Sequence, residues 1–314
     1  MSSIQTHPYS ALSTQAQKIV MSVLNSISIN PNPYSAFITR QQPSALVFLL
    51  DQSGSMSETT TLSGIKMSKS EALAKVVNQL LRQVLFRSTK GNEIREYFDV
   101  AFIGYGEEVS LLLEPQDLAY PWIKLSELPS KAIRKELVEI EQKTRTGVKI
   151  IQQEEDVWID AYSDGQTPMR QALALAQDML KVWIEKHPES FPPVVFNLTD
   201  GAATDAKENE LLAITKNIRD LHTQDGNVLL FNCHLGNSGE GVALPASKSE
   251  LPNDEYAHLL YACSSYIPDT PHFKAALADF FGKSLNGKYV AMSYNADMKQ
   301  LINILNIGSS NKMQ

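Results

Sequence analysis

The stretch Asp51-Gln52-Ser53-Gly54-Ser55-Met56 sets a carboxylate and two hydroxyls at alternate positions of a loop, directly behind the apolar run Ala45–Leu50. Side chains spaced in this way on a loop can converge on one centre. Two further stretches carry oxygen-bearing side chains at the ends of elements. Gly165-Gln166-Thr167-Pro168 precedes a long helical pattern, and Thr199-Asp200-Gly201 closes the apolar run Val194–Leu198. Asp51, Ser53, Ser55, Thr167 and Asp200 thus form a donor set of oxygen alone, with no His or Cys. Hard divalent cations take such ligands, magnesium or manganese in octahedral geometry and calcium more loosely; magnesium is the expected ion because it is abundant in the cytosol. By itself an Asp-x-Ser-x-Ser run is equally a turn with capping serines; the later Thr167 and Asp200 turn it into a candidate metal site.

Other chemistries fit less well. A phosphoryl-aspartate hydrolase wants a second Asp two residues after the first, where Ser53 stands. No Gly-x-Ser-x-Gly elbow occurs. Gly282-Lys283-Ser284 lacks the first glycine of a phosphate-binding loop, since Leu277 holds its place. A metal-assisted hydrolase needs a base beside the ion, and the local candidates are Asp164, Asp205 and Glu107. Asp205 is expected to cap the helix that follows it and Asp164 to share a turn with Gly165. The remaining alternative to a metal-dependent binding module is an interaction module with a vestigial metal site. The six histidines are scattered and read as structural or solvent-facing.

The elements that must hold these residues alternate along the chain. Continuous apolar runs at Ala45–Leu50, Phe98–Ile103, Val194–Leu198 and Asn227–Cys233 read as strands covered on both faces. Val109–Leu113 and Lys288–Met292 add a short strand and a last one. Amphipathic helices are expected over Glu71–Phe86, Met169–Ile184, Glu208–Leu221, Pro271–Lys283 and Asp297–Leu305. The alternation predicts a doubly wound α/β fold, a mostly parallel six-stranded sheet with helices on both faces, and ligands bind at the carboxyl ends of such strands. The expected organisation is a helical leader over residues 1–43 (helix at 14–28), one domain over 44–306 and a tail over 307–314. Residues 114–160 are too long for a connection and are expected to carry an inserted helix, with Ile133, Leu137 and Ile140 on one face of Ser130–Lys143.

Composition narrows the function. The 314 residues are 43% hydrophobic and carry a net charge of −7, which supplies a sizeable core but no basic face for nucleic acid. Cys233 and Cys263 fit neither a disulfide framework nor a zinc motif. No run of 18 apolar residues offers a membrane span. The first residues, MSSIQTHPYSALSTQAQ, have neither a basic start nor an apolar core, so the expected location is cytoplasmic.

VFLLDQSGSM, DGQTPMRQAL and VVFNLTDG, in this order, resemble the von Willebrand factor A (vWA) domain family and its metal-ion-dependent adhesion site. The resemblance covers about residues 44–235 by motif and extends to about 306 by element pattern. It implies a Rossmann-like fold and a non-enzymatic, metal-dependent adaptor whose ion accepts an Asp or Glu from a partner protein. It further implies that Ser53 and Ser55 ligate the ion through their hydroxyls and that Thr167 does so when a ligand is engaged. Asp51 and Asp200 would act mainly through bridging waters. The interval from Asp51 to Thr167 exceeds that of a minimal member, and segment 114–160 accounts for it. The stretches Leu251–Ala257, Cys263–Pro268 and Asn295–Met298 are similar to the cytosolic bacterial branch that includes the tellurite-resistance Y-type proteins. That branch implies a stress or defence setting, with a kinase, a phosphatase or a MoxR-type AAA+ ATPase as partner.

Overall fold

A computed structural model describes residues 33–62, 64–144, 147–236, 241–282 and 287–309. Its centre is a twisted sheet whose main strands are β1 (Ser44–Asp51), β2 (Phe98–Tyr105), β3 (Val109–Leu111), β6 (Val194–Thr199), β7 (Leu229–Leu235) and β8 (Met292–Ala296). Between β3 and β6 the chain forms a separate hairpin, β4 (Arg134–Thr144) and β5 (Gly147–Val157). The sheet order is β8-β7-β6-β1-β2-β3, with the two-residue strands Val242–Ala243 and Ile123–Lys124 added to β8 and β2. The pairs β1–β2, β1–β6, β6–β7 and β7–β8 are parallel, while β3 and both short strands pair antiparallel. The strand order reverses between β1 and β6. The carboxyl ends of these two strands form the crevice where the doubly wound architecture binds ligands.

β1, β2, β6 and β7 are buried along their whole length because helices cover both faces. On one face α1 (Lys69–Ser88), α5 (Pro271–Phe281) and α6 (Met298–Ser309) pack over Leu46, Phe48, Leu50, Phe102, Phe196 and Phe231. On the other, α2 (Met169–Lys186) and α3 (Glu208–Asp220) cover Val47, Leu49, Ile103, Val195 and Leu230. A shorter helix, α4 (Glu255–Cys263), closes the β8 edge through Ala257 and Leu260. Register aligns one aromatic per strand: Phe102, Phe48, Phe196 and Phe231 stand side by side across β2, β1, β6 and β7. Their ring centroids are 5.0, 5.3 and 5.2 Å apart, so a ribbon of rings runs beneath α1 and α6. α1 begins with a capping box, Ser68 Oγ accepting from Glu71 N and Glu71 Oε2 from Ser68 N.

Several expectations need correction. The inserted helix of 114–160 is the β4–β5 hairpin, paired from Arg134↔Val157 to Thr144↔Gly147. The spacing of Ile133, Leu137 and Ile140 imitates a helical stripe, but charged residues fill most positions between them and β5 supplies Val148, Ile150 and Ile151, a β-branched partner run. Asn78 of α1 anchors the hairpin's return: its Oδ1 accepts from Trp158 N and Ile159 N, and its Nδ2 donates to Ile159 O. The leader helix at 14–28 lies outside the described residues. The described part of the leader belongs to the domain: Ile38 is buried in the core, and Asp225 accepts from the backbone N–H groups of Ser35 and Ala36. The last strand starts at Met292 rather than Lys288, because Val290 and Ala291 first donate to Pro245 O and Ser265 O. α6 continues to Ser309 with Ile307 buried, which moves the tail boundary. Among the described residues no helix is long and apolar enough to cross a membrane.

Phe48 stands between two stacked rings and is fully buried. Truncation of such an aromatic removes its transfer free energy and leaves a cavity. Phe48→Ala should lower the unfolding free energy by about 3–5 kcal/mol, read from the midpoint of a urea denaturation curve; a loss under about 1 kcal/mol would contradict the packing described.

Candidate metal centre

Four segments meet at the carboxyl rim of the sheet. Asp51 ends β1, and Ser53 and Ser55 follow on a 3-10 turn, Gly54–Ser57, pinned by the buried Met56. Asp200 follows β6, and Thr167 precedes α2. Gly106 and Glu107 complete the rim after β2. Two glycines let these loops touch. A Cβ on Gly106 would stand 2.7 Å from both Gln52 O and Asp164 O. Gly165 has a φ of +78°, and a Cβ there would stand 2.4 Å from Glu107 N. The freed backbone is used: Asp164 N donates to Gln52 O and Gly54 N to Gly165 O.

The carboxylates are closed in by donors. Asp51 is buried; its Oδ1 accepts from Ser53 N (2.9 Å) and its Oδ2 from Thr199 Oγ1 (2.6 Å). Asp200 accepts from Ser55 Oγ at Oδ1 (2.7 Å) and from the Lys69 ammonium at Oδ2 (2.9 Å). The hydroxyls of Ser53 and Ser55 are 3.1 Å apart. Ser53 occupies the N-cap of the 3-10 turn, yet its hydroxyl caps nothing, so the run is more than a turn with capping serines. The structure therefore brings Asp51, Ser53, Ser55 and Asp200 into one hydrogen-bonded group. Thr167 lies on the adjoining loop, 6% exposed, its carbonyl accepting from Met169 N and Thr204 N. Its hydroxyl is joined to none of the other four by a hydrogen bond among the described residues.

Sequence reasoning missed several members. Thr199 clamps Asp51, and its signal was its place before Asp200 at the strand end. Lys69, the first residue of α1, extends a 5%-exposed side chain to Asp200 and to Glu58 Oε2 (2.8 Å). The hairpin of Thr59–Leu62 and Ile65–Ser68 returns the chain to Glu58 and puts Lys69 there, and nothing in the spacing announced it. His234 and Tyr256 hold the loop after β6: His234 Nε2 lies 3.2 Å from Asp200 O, Asn295 N donates to His234 Nδ1, and the Tyr256 hydroxyl donates to Gly201 O. Asp205 caps α2 rather than the helix that follows it, accepting from Arg170 N and Gln171 N; the fold sets the loop after β6 against the start of α2. Asp164 accepts from Gly165 N as a turn residue.

Burial pushes the Asp51 carboxyl up, against the hydrogen bonds of Ser53 and Thr199, and the nearby Asp200 adds to the rise. For Lys69 burial acts downward, but the bonds to Glu58 and Asp200 outweigh it and hold the ammonium above its ordinary value. Burial lowers His234, which keeps it neutral at pH 7. The group has the chemistry of a hard-cation site: hydroxyls and carboxylates only, gathered within hydrogen-bond distance at the switch point. Among the described residues no group of three or more His, Cys, Asp or Glu is gathered to hold a metal. Beside Gln52 a cleft of about 710 Å³ opens, lined by Glu107, Glu108, Ile133, Trp158, Asp160 and Tyr162 among others.

No protein-family model matches the chain, and no curated protein sequence does. Solved structures are similar in part. A von Willebrand factor type A protein from Catenulispora acidiphila is 14% identical with a TM-score of 0.36, over 62% of this chain and 34% of that one. The manganese-loaded TRAP protein of Plasmodium vivax is 15% identical with a TM-score of 0.38, over 84% and 72%. The vWF domain of the pilus tip protein Mfa5 from Porphyromonas gingivalis is 13% identical with a TM-score of 0.29, over 52% and 39%. The chain thus spans about a third of the length of the Catenulispora protein.

The raised Asp51 carboxyl has a consequence for stability. Between the ordinary value of 3.8 and its raised native value, the folded chain binds more protons than the unfolded one, so stability falls as pH rises through that window. In a chelator-treated sample, Asp51→Asn should be more stable than the wild type at pH 7, and the difference should close as pH falls to about 4. Thermal melts of both proteins across pH check this; a less stable variant at pH 7 would contradict it.

Proposed function

We propose that the chain is a metal-dependent protein-binding module whose centre at Asp51, Ser53, Ser55, Thr167 and Asp200 takes a divalent cation, magnesium before manganese or calcium. The observation that carries this reading is the meeting of two hydroxyls, 3.1 Å apart, with two buried carboxylates at the switch point of the sheet. In it Ser53 and Ser55 offer neutral oxygens directly. Asp51 and Asp200 keep their hydrogen bonds from Thr199 and Lys69 and contribute through bridging water. A cation held mainly by neutral oxygens, with a position left open, supplies a Lewis acid for an anionic ligand.

An acidic side chain of a partner protein is the ligand that suits this centre. One charge-assisted contact fixes orientation, and surrounding area must carry much of the affinity. The cleft beside Gln52 supplies such area, with Trp158, Ile133 and Tyr162 as apolar contacts and Glu107 and Glu108 for basic residues flanking the acidic one. Binding is favoured over hydrolysis because two of the three candidate bases are engaged in the fold: Asp205 gives both carboxylate oxygens to the start of α2 and Asp164 Oδ1 accepts from Gly165 N, while Glu107 lines the cleft.

The test removes both hydroxyls. The double variant Ser53→Ala/Ser55→Ala should keep the wild-type circular dichroism spectrum and lose calorimetric uptake of Mg²⁺ and Mn²⁺ by at least about a hundredfold in affinity. Proteins captured by the wild type should elute with chelator and be missing from the variant. Undiminished uptake by the variant would refute the centre; capture insensitive to chelator would refute the mode of binding.

A further inference from the structure

Lys69 pairs with a buried carboxylate from a position that breaks a local rule of helix construction. It is the first residue of α1, at the positive end of the helix dipole, where a cation is the wrong sign. Its side chain is 5% exposed, and a buried ion pair is often no better than apolar packing of similar volume. The chain nevertheless builds the hairpin of residues 59–68 to bring Lys69 back beside Glu58, with Lys69 N donating to Glu58 O (2.9 Å). The ammonium then reaches past the rim to Asp200 Oδ2. A local rule broken in this way points to a functional role beside the pairing of Asp200.

The charge count shows what. Asp51 and Asp200 alone would balance a divalent cation, leaving little pull on another anion. Lys69 cancels one of those charges, and Glu58, whose side chain is 53% exposed, answers it only from the solvent side. Lys69 also claims Asp200 Oδ2 while Ser55 Oγ claims Oδ1, so Asp200 has no uncommitted oxygen. On the reading of this centre as a divalent-cation site, we propose that Lys69 is its specificity-determining residue. It makes cation uptake weak alone and strong in the presence of a carboxylate ligand from outside, so that cation and acidic ligand bind together.

The experiment titrates Mn²⁺ into the full chain by calorimetry, with and without excess acetate as the carboxylate probe, for wild type, Lys69→Met and Lys69→Arg. Acetate should tighten uptake by the wild type. Lys69→Met should bind Mn²⁺ at least about tenfold tighter without acetate, since a single charge has been removed next to the ion, and should gain nothing from acetate. Lys69→Arg should behave as the wild type. Wild-type uptake with Lys69→Met equal or weaker, both melting alike, overturns the role of Lys69 and leaves the cation site standing. No uptake by either folded protein overturns the cation site itself. Uptake by Lys69→Met alone overturns the cation site of the natural chain and upholds Lys69 as the charge that governs uptake. Should Lys69→Met fail to fold, the wild type decides: uptake that acetate does not tighten overturns the proposal.

Discussion

Two carboxylates at the ends of neighbouring strands, with neither side chain open to water, constrain everything at this rim. β1 and β6 pair in register up to Leu50↔Leu198, so Asp51 comes level with Thr199 and Asp200 follows one residue beyond. Asp51 is 1% exposed, and the side chain of Asp200 is fully covered. Like charges in such surroundings repel, and burial adds its own penalty. The fold answers with one donor for each of the four oxygens: Ser53 N, Thr199 Oγ1, Ser55 Oγ and Lys69 Nζ. The turn after β1, the Thr before Asp200 and the hairpin ahead of α1 are thus three parts of one electrostatic solution.

The layer beneath supports that solution with polar groups satisfied link by link. The Tyr105 hydroxyl donates to Asn197 Oδ1, Asn197 Nδ2 to Asn232 Oδ1, Asn232 Nδ2 to Ser264 Oγ, and Ser264 Oγ to Leu260 O. This chain crosses from β2 over β6 and β7 to α4. A buried polar chain with every member paired rigidifies what it joins. It ties β6, which leads to Asp200, to β2 and β7. On the opposite face of the sheet, the four phenylalanine rings do the same by dispersion and ring geometry.

What the sequence made legible follows from where one physical signal dominates. Strands covered on both faces leave unbroken apolar runs, so β1, β2, β6 and β7 stand out with the residues at their ends, Asp51 and Asp200 among them. Long helices with one apolar stripe, α1 and α2, stand out equally. The hairpin of residues 134–157 does not, because it is largely exposed: Leu137 and Ile150 face solvent, so no alternation of buried and exposed positions marks it. Sparse apolar residues among charges then fit a helical spacing by accident. Lys69 was illegible for another reason. Its partner Glu58 is eleven positions away, and only the pairing of Thr59 with Ser68 closes that interval. A site residue delivered by an intervening hairpin leaves no periodic trace.

The two segments that sequence reasoning missed or misread are joined by a single rigid element. Lys69 opens α1, and Asn78, nine positions along, clamps Trp158 and Ile159 at the root of the long hairpin. At 1.5 Å per residue these anchor points lie about 13 Å apart along one helix. Arg82, a turn further, pairs with Glu155 and donates to Asp156 O. The strand that returns from the hairpin leads directly into the loop carrying Asp164, Gly165 and Thr167, whose backbone is bonded to Gln52 and Gly54. The hairpin root is therefore fastened to the loops of the rim twice, through α1 to Asp200 and through residues 158–167 to the turn after β1.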